Sequence, residues 1–152
     1  MLLKAMLRAA GVFYFAVLFY IFFLARRRPR PSLTRQRFPH NLIPFRQKLH
    51  DLSFYHSMSA FERWNFLTDL LGNIGLFVPM PFFLLVFFKI RDSWKAVATA
   101  AVISGAVELT QYFFRIGIAD IDDIILNVLG AVIGAAMLKL FNKQLYNSPL
   151  LA

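Results

Sequence analysis

The chain has 152 residues, 59% of them hydrophobic and only 16% charged, with 17 Lys+Arg against 8 Asp+Glu and a formal net charge of +9. An ordinary soluble domain is about 45–50% apolar and about a quarter charged, so this composition excludes a soluble globule and a disordered chain. Four windows, Ala9–Ala25, Leu70–Phe88, Ala96–Phe114 and Ile124–Leu138, hold 70 residues and a single charged side chain, Glu108. The basic residues sit at the edges of these windows, where they read as membrane flanking and not as a nucleic-acid footprint.

A spanning helix needs ~20 predominantly apolar residues, and the chain offers four in turn. The first covers about 9–25 and ends in Arg26, Arg27 and Arg28 with no small-x-small site before them, so it is expected to stay as an anchor and not to be cleaved as a signal peptide. A basic loop, 26–69, follows. It opens with Pro29, Pro31 and six arginines by Arg37, the composition of an extended, solvated tether. From Phe38 the loop turns apolar, through Asn41-Leu42-Ile43-Pro44-Phe45 and on to Leu49, Leu52, Phe54, Phe61 and Trp64. That change predicts a re-entrant or interfacial element, with a short amphipathic helix starting at Ser59 and capped with Glu62 at its third position.

The second helix, about 70–88, carries Pro79 and Pro81 and is expected to kink there. The third covers about 96–114. The fourth, about 124–141, is short in strictly apolar residues, but Lys139 can snorkel its ammonium to the headgroups. A tail, 142–152, completes an all-α membrane protein with one domain, 1–141, built as a four-helix bundle. The lack of cysteine excludes disulfides, thiolate metal sites and cysteine nucleophiles.

Polar residues recur at helical spacing on the apolar segments. Ser104, Glu108, Gln111 and Arg115 lie 4, 3 and 4 apart, and so do Asp123, Asn127, Gly130 and Gly134; each set forms one stripe. Asn65, Asp69 and Asn73 are each four apart at the start of the second helix. With four spans, the start of helix 2, the end of helix 3 and the start of helix 4 share one membrane face with the long loop. Bundle packing explains Gly130-x-x-x-Gly134, because small residues let helices approach. The ionisable set asks for more, since a carboxylate at membrane depth costs ~2.5–3.5 kcal/mol and marks function by default. The expected ligand pocket therefore comprises Asn41, Asn73, Ser104, Glu108, Gln111, Arg115, Asp120, Asp123 and Asn127. Its catalytic candidates are Glu108, Asp123 and Arg115. No cofactor motif appears, His40, His50 and His56 lack ligand spacing, and no metal site is assigned.

These residues carry a resemblance. Asn41-Leu-Ile-Pro-Phe45, Gly72-Asn73-Ile74 through Phe77-Val78-Pro79, Glu108-x-x-Gln111 with Arg115, and Asp120-Ile-Asp-Asp123 with Asn127-x-x-Gly130-x-x-x-Gly134 follow the order of the VanZ-like family of small bacterial membrane proteins. The chain resembles that family from about residue 41 to 134. It departs at Pro81, where the family often has glycine, and at Asp69, where asparagine is common. The resemblance implies a multi-pass protein of the bacterial plasma membrane with an accessory role in tolerance to lipoglycopeptide antibiotics such as teicoplanin.

Two functional readings stand at this level. In the first, the pocket binds an anionic lipid or cell-envelope precursor, with Arg115 attracting its phosphate or carboxylate, Asn73, Gln111 and Asn127 orienting it, and the Asn41–Phe45 loop as a lid. In the second, a membrane enzyme acts on such a molecule with Glu108 or Asp123 as general base and Arg115 stabilising developing charge.

Overall fold

The computed structural model describes residues 2–25, 40–114, 116 and 119–145, with backbone only for residues 40, 119 and 141–145. The arginine-rich tether, Arg115 and the last seven residues of the tail lie outside the described residues. In chain order the elements are α1 (Leu2–Phe19), a π-helical turn (Tyr20–Ala25), β1 (His40–Asn41), α2 (Arg46–Ser53), α3 (Ala60–Phe77), α4 (Met80–Phe88), α5 (Ser93–Phe114), β2 (Ala119–Asp120) and α6 (Ile121–Leu145). Among the described residues, four helical stretches are long and apolar enough to cross a membrane: Leu2–Ala25, Ala60–Phe88, Ser93–Phe114 and Ile121–Leu140. The protein is an all-helical, multi-pass membrane protein, apart from a two-residue parallel pairing of β1 with β2.

Its helices begin earlier than apolar content alone suggests. Ser59 caps α3 as expected: its hydroxyl accepts the Glu62 N–H at 3.2 Å while the Glu62 carboxylate accepts the Ser59 N–H at 2.8 Å. The helix it starts is not a separate amphipathic piece, however, because it runs without interruption into the second span. The short helix of the loop is α2, which follows the Asn41–Phe45 motif. Leu42, Ile43, Leu49, Leu52 and Phe54 are all exposed on this segment.

The second span breaks where the prolines predict. Pro79 and Pro81 lack the N–H groups that a continuous helix would offer to Gly75 and Phe77, so α3 ends at Phe77 and α4 begins at Met80. α1 covers this break, with the Tyr14 hydroxyl donating to the Leu76 carbonyl at 2.7 Å and its ring stacking on Phe83 at 4.8 Å.

α6 is the centre of the bundle and packs most extensively against α5 and α3. Gly130 and Gly134 permit this: a Cβ on Gly130 would strike the Ile74 carbonyl, and one on Gly134 the Val78 carbonyl. Phe77, Met80, Leu84, Ala96, Ala100 and Ala131 fill the apolar core, together with Leu18 and Phe22 from the first span. Toward the face carrying the long loop, this core gives way to a polar layer.

Candidate functional site

The polar layer is organised around the start of α6. Asp120 caps the helix, its Oδ1 accepting the Asp122 N–H at 2.9 Å, and Asp122 and Asp123 follow in the first turn, where helix-dipole interactions favour negative charge. The Glu108 carboxylate on α5 accepts the Asp120 N–H at 2.8 Å, tying the end of one span to the start of the next. The β pairing sets Asn41 opposite Asp120. From there the Asn41 amide nitrogen donates to Asp120 at 3.1 Å and to Asp122 at 3.4 Å.

The Asn41–Phe45 motif ends in a strained residue. Phe45 has φ 57, a left-handed conformation that a bulky side chain rarely adopts. It turns its N–H onto Asp122 Oδ1 at 2.6 Å, and α2 starts immediately after it. One turn into α2, the Lys48 ammonium reaches Asp69 on α3 at 2.8 Å and Asp122 at 3.9 Å. The loop is thus fastened to α6 and α3 by three anchors. Asp69, the departure noted in the sequence, is the carboxylate that receives Lys48.

Deeper in the bundle the polar groups pair off. Asn73, fully buried, donates to Asp123 at 2.7 Å across the α3–α6 interface. One turn further in, ~6 Å along the axis, the Asn127 amide nitrogen donates to the Ser104 hydroxyl at 2.9 Å across α5–α6. The Asn127 Oδ1 has no hydrogen-bond partner among the described residues. Gln111 points a different way, donating at 2.9 Å to the Phe22 carbonyl in the π-helical turn of the first span.

A cavity of about 420 Å³ opens beside this layer, between α5 and α6. Of the nine residues singled out in the sequence, Glu108 and Asp120 line it; its other walls include Leu42, Leu109, Tyr112 and Ile124. Asn41 and Asn73 are occupied in pairing with carboxylates, Ser104 and Asn127 with each other, and Gln111 with the first span. Arg115 lies outside the described residues, so its expected place in the pocket does too. Among the described residues no group of three or more His, Asp or Glu is arranged to hold a metal ion.

Burial pushes the Asp120 carboxyl above the ordinary carboxylate range; the charges of Asp123 and Asp122 act in the same direction, against the hydrogen bond from Asp122 and the charge of Lys48. For Lys48, burial acts to lower the ammonium's pKa. The hydrogen bond and charge of Asp69, with the charges of Asp120 and Asp123, outweigh it and leave the group above the ordinary lysine value.

Sequence reasoning missed Asp122, the Phe45 amide and Lys48. Asp122 is fully buried, yet in the sequence it is one acid among three, and its neighbour Asp123 falls on the more visible stripe. Lys48 stands beside Arg46, Gln47, His50 and Asp51 in the sequence, and nothing local marks it out from them.

The comparisons with known proteins agree with this architecture. The VanZ/LLP1 family model matches residues 11–142. A curated relative, Protein VanZ of Enterococcus faecium, is 29% identical over 110 residues, covering 68% of each chain. No solved structure matches. The matched segment lacks Leu2–Ala10 of the first span and the last three residues of α6 but contains the rest of the four spans and the described polar layer, and the chain belongs to the VanZ/LLP1 family.

Proposed function

We propose that this protein is an accessory component of the bacterial cell envelope, resident in the plasma membrane, that holds an anionic amphiphile at its polar layer and thereby contributes to tolerance of lipoglycopeptide antibiotics such as teicoplanin. The observation that carries the binding reading is the cavity between α5 and α6, whose walls are apolar and whose polar groups are the buried Glu108 and Asp120. Apolar walls with a few placed polar groups are the usual make-up of a small-molecule site. A chain would lie along the walls and a head group at the polar layer. Arg115, next after α5 in the sequence, and the arginines of the 26–37 tether supply the charge to attract a phosphate or carboxylate. The antibiotic role rests on the family resemblance.

A second reading, an enzyme acting on a lipid or envelope precursor, draws on one observation: Glu108 lines the cavity while only 4% exposed, a position suited to a general acid or base. Asp123, the other candidate, is turned to Asn73 instead. Glu108→Gln separates the readings, because an enzyme would lose turnover and keep its ligand, whereas a binding protein would lose ligand and effect together.

The test of the main reading is antibiotic tolerance measured beside membrane abundance for Arg115→Ala and Gly130→Leu. Arg115→Ala is expected to abolish tolerance at unchanged abundance, and Gly130→Leu to lower abundance itself. Full tolerance in Arg115→Ala, or a loss that merely tracks disappearance of the protein, would overturn it.

A further inference from the structure

The start of the second span has two faces. Arg63, Phe66 and Asp69 recur every third residue on one side of α3 and are half-buried, because the preceding segment is packed onto them. The Tyr55 ring meets Phe66 at 6.0 Å between centroids, the Arg63 guanidinium lies 6.0 Å from the centre of the same ring, and Lys48 reaches Asp69 at 2.8 Å. Phe61, Trp64, Leu67 and Leu71, spaced 3, 3 and 4 apart, form the opposite stripe and are all exposed. The Thr68 hydroxyl, which falls on that stripe, donates to the Trp64 carbonyl at 2.7 Å and is satisfied within the helix.

Leu71 belongs to the apolar window of the span, where the outside is hydrocarbon, and the stripe runs back from it for ~15 Å to Phe61. Ala60–Phe88 has 29 residues, ~43 Å of helix against a hydrocarbon core of ~30 Å. Lys89 closes the far end directly, so the surplus lies at the near end and carries the first turns of α3 to the level of the head groups. Trp64 has there the place and the amphipathic ring of an interfacial anchor. α2 shares this depth, since its ties hold it beside Phe66 and Asp69. On α2, Leu49 and Leu52 lie three apart on one flank, 64% and 55% exposed. Gln47 and His50 are exposed on the other flank.

From this continuity we infer that α2 and the first turns of α3 form an interfacial foot, with Leu49, Leu52, Phe61 and Trp64 inserted in the lipid of one leaflet. The occupant of the surface is the bilayer itself, because the surface extends the lipid-facing side of a spanning helix. Net charge does not draw the foot down: over residues 46–69, Arg46, Lys48 and Arg63 are balanced by Asp51, Glu62 and Asp69. Apolar area does, as for other amphipathic helices in the membrane plane. The inference is independent of what the cavity between α5 and α6 holds.

The chain has no cysteine, so Leu49→Cys, Leu52→Cys, Gln47→Cys and His50→Cys each carry one nitroxide label in the full-length protein, reconstituted in phosphatidylcholine nanodiscs. Electron paramagnetic resonance compares collisions with oxygen, which concentrates in lipid, and with a water-soluble nickel chelate. The oxygen-to-nickel ratio is expected to be several-fold higher at positions 49 and 52 than at 47 and 50, and unchanged when phosphatidylglycerol is added. A second readout needs no label on α2: Trp94→Phe leaves Trp64 as the one tryptophan. Its fluorescence is expected to be quenched more by phospholipid brominated near the top of the acyl chain than by phospholipid brominated at the chain end. Free access of the nickel chelate to all four positions would place the segment in water and overturn the inference. Shielding of positions 49 and 52 from both reagents would mean that protein, such as a second copy of the chain, covers them, and overturns it too. A ratio that rises only with phosphatidylglycerol would overturn the apolar account, and stronger quenching of Trp64 from the chain end would remove the depth on which the placing of α2 rests.

Discussion

The close approach of α6 to α3 sets up a sharp contrast between glycines of one chain. A methyl group on Gly130 would fall on the Ile74 carbonyl, and one on Gly134 on the Val78 carbonyl with the Pro81 ring 3.2 Å away. Backbone cannot rotate aside as a side chain would, so the two helices must separate. Overpacking of this kind costs ~1–3 kcal/mol. Replacing a helical glycine by alanine gives back ~1 kcal/mol of backbone preference, so each variant is expected to lose ~0–2 kcal/mol net. Gly105 has nothing within 4 Å of its would-be Cβ, and there only the gain remains. The separation also lengthens the 2.7 Å Asn73–Asp123 contact, which spans the same interface about two turns before Gly130 on α6. Reversible denaturant titration of the purified protein in mixed micelles, followed by circular dichroism, measures the difference. Gly130→Ala and Gly134→Ala are expected to unfold earlier than wild type, and Gly105→Ala at the same point or later. Equal midpoints for Gly134→Ala and Gly105→Ala would refute the packing argument.

The remaining predictions concern the loop and the polar layer. A double-mutant cycle on Lys48→Met and Asp69→Asn is expected to show a coupling of up to ~1 kcal/mol, the range of a solvent-accessible ion pair, and additive losses would mean that the pair does not hold α2. Because the folded state raises the Lys48 pKa, this anchor is fully present below the ordinary lysine value and is lost as pH rises through the raised one. The Asp120 pKa is raised too, so its contribution is greatest in acid and falls as pH climbs through the carboxyl's raised titration; amide exchange at Phe45, followed across pH, reads both trends. Asn73→Leu leaves the buried Asp123 without the 2.7 Å donor and is expected to cost ~1.5–3 kcal/mol, the scale of a hydrogen bond to a charged group. In this cysteine-free chain, single cysteines at Ser53 and Ser93 are expected to react with impermeant reagents from opposite sides of the membrane, since one span lies between them; labelling from the same side would contradict the four-span topology.

The four spans were legible because charge depletion over about 20 residues has few other physical causes. The break at Pro79 was legible for the same reason, as a missing N–H acts locally whatever surrounds it. Close helix approach was visible in the glycine stripe, but which helices pair was not; the structure pairs α6 with α3 through Asn73–Asp123 and with α5 through Asn127–Ser104. Partner choice was not visible. Gln111 sits on the stripe of Glu108, yet it bonds to a carbonyl in the π-helical turn of the first span, where the distortion of the backbone has no sequence signature. The same limit applies to Asp122, whose role depends on the left-handed turn at Phe45 bringing an amide to it. A short helix was expected from Ser59 because the capping box marks a start and says nothing of how far the helix runs.

The central claim, that the groove between α5 and α6 holds a lipid chain, is tested most directly by photolabelling. Phospholipid carrying a diazirine along one chain is irradiated with the reconstituted protein, and labelled residues are mapped by mass spectrometry. The account predicts labelling concentrated at Leu109, Tyr112 and Ile124, competed by excess unlabelled lipid and lost in Gly105→Leu. Labelling spread evenly over exposed residues such as Val12, Val102 and Phe113, without competition and unchanged by Gly105→Leu, would contradict it.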